Sequence, residues 1–230
     1  TSPGTRSRRS KRNRYHHTPT TTTTARYNTN RRFRTLILSF FQAITPLFFD
    51  IVIKPQVAIK EILIYGNIGY DFWTGDGITA KSIQSQLQTL NDDKDVSEIT
   101  VRINSPGGSV FEGVAIYNML QQSAKPVNTI IDGIAYSMGA IIAMAGKKRQ
   151  MAKNATLLLH CCSGVAVGNV RDMKNTIQMM EALDTGLSES IAETTGLSAN
   201  DVKDKWMNYD DQTFTAAQAL EKKFIHEVRD

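Results

Sequence analysis

The sequence predicts an α/β fold, a mainly parallel sheet with helices on its faces. Two observations carry that prediction. From residue 61 onward, short runs rich in β-branched residues alternate with segments of helical period. Such alternation implies right-handed crossovers between parallel strands. The chain is also long enough for one such domain, since 230 residues at 41% hydrophobic can bury a sizeable core and leave room for a tail.

The elements follow in order. Glu61 to Ile68 reads as a strand, and Thr79 to Leu90 as a helix with Ile83, Leu87 and Leu90 on one face. Ile99 to Asn104 is a second strand and Val110 to Gln122 a second helix. The run from Pro126 to Asp132 is extended and ends at Gly133, and a helical pattern (Met138, Ile141, Ile142, Met144) starts just after Ser137. Thr156 to Leu159 is a further apolar run. Residues 168–194 form the longest helical pattern, through Val170, Met173, Ile177, Met180, Leu183, Leu187 and Ile191, with Gly196 as its stop. Its apolar positions suit core or subunit packing. Thr215 and Gln218 match a capping box that opens a last helix.

The ends of the chain differ in character. Residues 1–34 hold ten Lys and Arg, no Asp or Glu, and five consecutive threonines from Thr20 to Thr24. Nothing there can form a core, so disorder is expected. The other 196 residues carry 17 basic and 22 acidic side chains, a net charge of −5. The overall +5 and the pI of 9.2 therefore belong to the tail, and they give no ground for specific nucleic-acid binding by the body. Residues 35–53 are apolar but broken by Gln42, Thr45, Pro46 and Asp50. A membrane span needs about 20 apolar residues with few polar breaks, so a lead-in segment is expected rather than a span. The tail itself reads as a dispensable leader, ahead of a transit peptide or a nucleic-acid arm, because like-charge runs are usually solvated.

The two cysteines, Cys161 and Cys162, are adjacent, which rules out a disulfide framework and suits a reducing compartment. No CxxC or His-x-x-x-His spacing occurs, and no metal site is expected.

The chemistry concentrates at strand ends, where open α/β sheets bind ligands. Ser137 sits where an apolar strand gives way to a helix, a turn that lifts a side chain out of the sheet and aims N–H groups beside it. His160 ends another strand. A histidine after three leucines is more often a core residue, but His16 and His17 lie in the tail and His226 near the end of the chain, so His160 is the best base available. For an acid, Asp211 competes with Asp210, Asp201 and Asp204, and local reasoning does not choose among them. Ser-Pro-Gly-Gly-Ser, residues 105–109, lies between a strand and a helix without the Lys of a P-loop. With Ser137 it offers two oxyanion donors, the N–H groups of Gly108 and Met138.

The stretches INSPGGSVFEGVAIYNML, GIAYSMGA, LLLHCC and DQTFTAAQA resemble the proteolytic subunit of Clp protease, peptidase family S14, and its phage-type head-maturation members above all. The likeness covers residues 48–230, leaving residues 1–47 as leader and lead-in. It implies a crotonase-like α/β fold with repeated βα units and a long protruding helix. It maps the nucleophile to Ser137, the base to His160, the acid to Asp211 (from the register of Asp-x-x-Phe-Thr-Ala) and the oxyanion donors to Gly108 and Met138. It further implies a serine endopeptidase in the cytoplasm that cleaves protein or peptide substrates within a homo-oligomeric ring. Such a ring would be served by a separate ATP-dependent unfoldase or, in a phage, act on capsid or scaffold proteins. No cofactor is implied. Two positions depart from the cellular pattern: Cys161 and Cys162 replace Gln-Pro after the histidine, and Tyr136 replaces an Ala before the serine. Two other functions share this fold or assembly, a crotonase-type acyl-CoA hydratase or isomerase and a non-catalytic ring subunit. The Ser, His and acid trio argues against both.

Overall fold

The computed structural model describes residues 58–70 and 76–230. The expected leader (1–47), the apolar stretch 35–53 and the expected start of the domain at residue 48 lie outside the described residues.

Strand β1 (Ala58–Tyr65) leads to helix α1 (Ala80–Asp92), then β2 (Val96–Ser105), α2 (Val110–Gln121), β3 (Val127–Tyr136) and α3 (Met138–Ala143). The second half contains β4 (Arg149–Ala152), β5 (Thr156–Leu159), α4 (Val170–Thr195), α5 (Ala199–Trp206), β6 (Gln212–Thr215), α6 (Ala216–Glu221) and β7 (Glu227–Arg229). The strands form one seven-stranded sheet, with β1, β2, β3, β4 and β7 parallel in that order. Off this path, β5 runs parallel to β3, and β6 pairs antiparallel with β5. The repeated βα units and mainly parallel sheet expected of the crotonase-like class are present.

Local chemistry explains the boundaries. The side chains of Thr79, Ser109, Asn169, Ser198 and Thr215 each accept a hydrogen bond from the first turn of a helix, satisfying N–H groups that have no partner inside it. Helix α4 ends at Gly196, whose left-handed φ of 76° suits a residue without a Cβ. Ile83 and Leu87 of α1 are buried and Leu90 packs partly against the core, as the spacing predicts.

The structure corrects two strand ends. Strand β1 stops at Tyr65, short of the expected Ile68. Strand β3 runs through Gly133 to Tyr136. Its register on β2 slips between the pairs Ile103↔Ile131 and Ser105↔Ala135. Asn104 pins that irregularity by accepting from the Ile134 N–H at 3.2 Å. A Cβ on Gly133 would lie 2.6 Å from Asn104 Oδ1, so this glycine marks a bulge where a side chain comes close to the backbone. Before the bulge β3 pairs with β4, and after it with β5. The bulge thus carries the strand on to Ser137.

The core lies on both sides of the sheet and includes Ile99, Val101 and Ile103 of β2 together with every residue of α3. The same core includes Trp206, Phe214 and Phe224, whose rings meet edge to face at centroid distances of 4.7 to 6.4 Å. These rings hold α5, β6 and the chain after α6 together, and so fix the segment that bears Asp211. Helix α4 divides in two. Leu187 and Ile191 are buried, whereas Val170, Met173 and Ile177 are exposed. Among the described residues no helix is long and apolar enough to cross a membrane.

Candidate active site

Ser137 occupies the one-residue joint between β3 and α3, with φ 52° and ψ −123°. Positive φ in a residue with a Cβ costs on the order of 1–3 kcal/mol and persists only where the surroundings impose it. Here they do. The Ser137 N–H donates to the Leu158 carbonyl at 2.9 Å, and its own carbonyl accepts from Ala140 at 3.0 Å. Beneath the joint lies Gly107. A Cβ there would come 2.7 Å from both Ser137 Cβ and the Tyr136 carbonyl oxygen. Gly108 is equally constrained, since a Cβ would fall 2.1 Å from the Ile68 carbonyl oxygen. The glycine pair is therefore required by backbone packing, one residue against the serine turn and the other against the chain after β1.

His160 stands one residue past β5. Its Nδ1 lies 3.1 Å from Asp211 Oδ1. A carboxylate only accepts, so Nδ1 donates to it, and the neutral ring in that tautomer has its lone pair on Nε2. The histidine side chain is 29% exposed and that of Asp211 68%. None of the three competing acids bonds to His160 among the described residues. Asp201 caps α5 through Ser198 and pairs with Lys205, and those contacts, Ser198 first, hold its carboxyl below the usual range. Asp204 lies on α5, where its carbonyl accepts from Asn208. The Asp210 N–H is tied to Asn208 Oδ1 at 3.0 Å. Of the four aspartates, Asp211 is the one that meets His160. It precedes β6, and the short helix α6 comes only after that strand.

Ser137, His160, Gly108 and Met138 line one cleft. No hydrogen bond joins Ser137 to His160, and such bonds are often long before substrate binds. The N–H groups of Gly108 and Met138 have no hydrogen-bond partner among the described residues and remain available as donors. Cys161 and Cys162 also line this cleft. Burial, then the nearby Asp184, raises the Cys161 thiol and pushes Cys162 up to about 12. Neither offers a thiolate at neutral pH, so the hydroxyls of Ser137 and Ser163 are the candidate nucleophiles left among the lining residues. Beside the cleft a second cavity of about 260 Å³ is lined by Phe111, Met179, Met180 and Leu183 among others.

Sequence reasoning missed several residues that shape this site. Gly107 was hidden inside a glycine pair read for the Gly108 oxyanion donor. Asn104 stood out only as a strand end and Asn208 gave no signal, because an asparagine that holds a bulge or a turn looks like any loop residue. Tyr136 stood out only as a departure from the family pattern. Its hydroxyl lies 2.7 Å from Thr156 Oγ1, tying the serine strand to the histidine strand.

A strained serine at a strand–helix joint, a histidine with a carboxylate behind it and unpaired backbone donors are the parts of a serine-type hydrolase. Comparison with known proteins narrows that class. Residues 73–230 match the family model described as Clp protease. The chain is 35% identical over 156 residues to the ATP-dependent Clp protease proteolytic subunit of Bacteroides fragilis, covering 66% of this chain and 74% of that protein. It is 30% identical over 194 residues to ATP-dependent Clp protease proteolytic subunit 1 of Leifsonia xyli, covering 79% and 91%. Proteolytic subunit 2 of Tropheryma whipplei is 32% identical over 162 residues, covering 68% and 89%. The chain belongs to the Clp protease family and is a serine endopeptidase of that family.

Proposed function

We propose that the endopeptidase works through Ser137, His160 and Asp211, with the Gly108 and Met138 N–H groups as its oxyanion hole. His160 Nε2 takes the proton as Ser137 Oγ attacks the substrate carbonyl. The tetrahedral oxygen is held by the two N–H groups, each such donor lowering the barrier by about 3–4 kcal/mol. His160 then gives the proton to the departing amine. Water, deprotonated by the same nitrogen, hydrolyses the acyl-enzyme and frees Ser137. Asp211 keeps the proton on Nδ1 throughout and stabilises the imidazolium that forms. The 3.1 Å contact that Asp211 makes with His160, a residue lining the same cleft as Ser137, carries this reading.

The wider setting follows the family likeness. The subunit works in a homo-oligomeric ring, reached by unfolded chains that a separate ATPase delivers. The exposed apolar half of α4 supports subunit packing. The free thiols of Cys161 and Cys162 suit the cytoplasm. The methionine-lined cavity favours substrates with a large apolar residue beside the scissile bond. Cleavage of capsid or scaffold proteins in phage head maturation is a narrower form of the same reading. An acyl-CoA hydratase would need carboxylates at the reacting centre, and no Glu or Asp is among the described residues lining the cleft.

Hydrolysis of a fluorogenic peptide with a P1 Leu or Met tests the proposal. Activity is expected from the full chain, and loss of activity in both His160→Ala and Ser137→Ala. Full turnover by either variant would overturn it.

A further inference from the structure

The two residues after His160 are each tied down by a backbone N–H. Cys161 donates to the Asn208 carbonyl at 3.3 Å, and Cys162 donates to Asp184 Oδ1 at 2.7 Å. The first tie joins the histidine segment to the turn that delivers Asp211. The second joins it to the middle of α4, where a carboxylate gains nothing from the helix dipole, which acts only within the end turns. Asp184 forms no ion pair with Lys or Arg among the described residues. Its carboxylate is half-buried and is directed at the Cys162 N–H and thiol. That thiol stays protonated at neutral pH and remains a donor. A half-buried carboxylate without a cation, bonded to the strand end that bears the base, needs a reason beyond helix stability.

We propose that Asp184 is a positioning residue for His160: it pins the backbone two residues beyond the base and so holds the imidazole over Ser137. Without this tie, the described residues from His160 onward keep the His160–Asp211 contact and the longer Cys161 bond to Asn208, and the chain beyond them is exposed through residue 169. A shift of about 1 Å in a catalytic group is enough to cost about 10²-fold in rate. The proposal rests on His160 being the base.

The test compares the full chain with Asp184→Ala, Asp184→Asn and Cys162→Pro. Two quantities are measured: kcat and KM on a fluorogenic peptide, and the rate at which a fluorophosphonate labels Ser137. Asp184→Ala is expected to lower kcat and the labelling rate by about tenfold, with KM within about twofold of wild type. Asp184→Asn keeps an oxygen that accepts the Cys162 N–H and recovers most of the loss. Cys162→Pro deletes that N–H and reproduces the loss, and adding Asp184→Ala to it costs little more, as expected for partners in one interaction. Wild-type labelling in Asp184→Ala, or no recovery in Asp184→Asn, overturns the proposal. If the alanine variant does not fold, the asparagine and proline variants decide it in the same terms. A wild-type chain left unlabelled at Ser137 sinks the triad reading itself, whereas equal labelling of wild type and Asp184→Ala sinks only the role of Asp184.

Discussion

The two halves of the site are built differently. The Ser137 half is buried and over-determined: a strained φ, a helix with every residue in the core, and glycines with no space for a Cβ. The His160 half is open. It is held by a handful of hydrogen bonds, and more than half of the Asp211 side chain faces solvent. Backbone packing places Ser137, whereas side-chain contacts place His160 and Asp211. The first arrangement tolerates no change in volume. The second is adjustable, and its members can be removed without disturbing the core.

That contrast makes graded predictions. The largest effect is expected from Ser137→Ala, which removes the atom that bonds to substrate and lowers turnover by about 10⁶-fold while leaving the circular dichroism spectrum and oligomeric state unchanged. Asp211→Asn comes next, with a loss of about 10⁴-fold in kcat, because an amide no longer holds the His160 proton on Nδ1. Thermal stability should hardly change, since the side chain is exposed. Asp210→Asn in the same assay should stay within about twofold, and a reversal of these two results would move the acid to Asp210.

Gly107→Ala sharpens the comparison from the buried side. The added methyl meets Ser137 Cβ and the Tyr136 carbonyl, so the serine turn must shift. Activity should fall by about 10²-fold together with a lower melting temperature, a double loss that Asp211→Asn lacks. Equal stability in the two variants would erase the distinction between the halves.

The smallest effect concerns pH. His226, next to β7, faces the Arg149 N–H through Nδ1 at 3.1 Å and the Arg149 guanidinium through Nε2 at 2.8 Å. Burial first, then the Arg149 charge, holds its pKa below the ordinary 6.5. The unfolded chain therefore binds the proton more readily, so this contribution is complete above about pH 6.5 and is lost as pH falls through the folded pKa. Melting temperature measured from pH 8 down to 5 should decline at the acid end, and His226→Gln should flatten that part of the curve.

How much of this was legible in the sequence depended on the kind of signal. Strand–helix alternation exposed the sheet, because short β-branched runs such as Ile99 to Ile103, apolar at every second position, stand out between segments of helical period. The caps at Thr79 and Thr215 and the stop at Gly196 were readable because single side chains or a single φ decide them. The end of β3 was misread, since Gly133 looks like a terminator until Asn104 is seen filling the space beside it. Strands β4 and β6 are only four residues long, and they form because neighbouring strands and the aromatic cluster recruit them. No local pattern announces that. Residue types nominated Ser137 and His160, whereas the choice of Asp211 needed the family's register. The Asp184 tie crosses 22 residues from a loop to a helix face, and nothing local marks it.

The central claim is that Ser137 is the activated nucleophile, and a fluorophosphonate probe tests it most directly. Full-length protein is labelled, digested and mapped by mass spectrometry, beside His160→Ala. The account predicts one adduct, on Ser137, formed far more slowly in the histidine variant. An adduct on another residue, or peptide hydrolysis that survives with Ser137 unmodified, would contradict it.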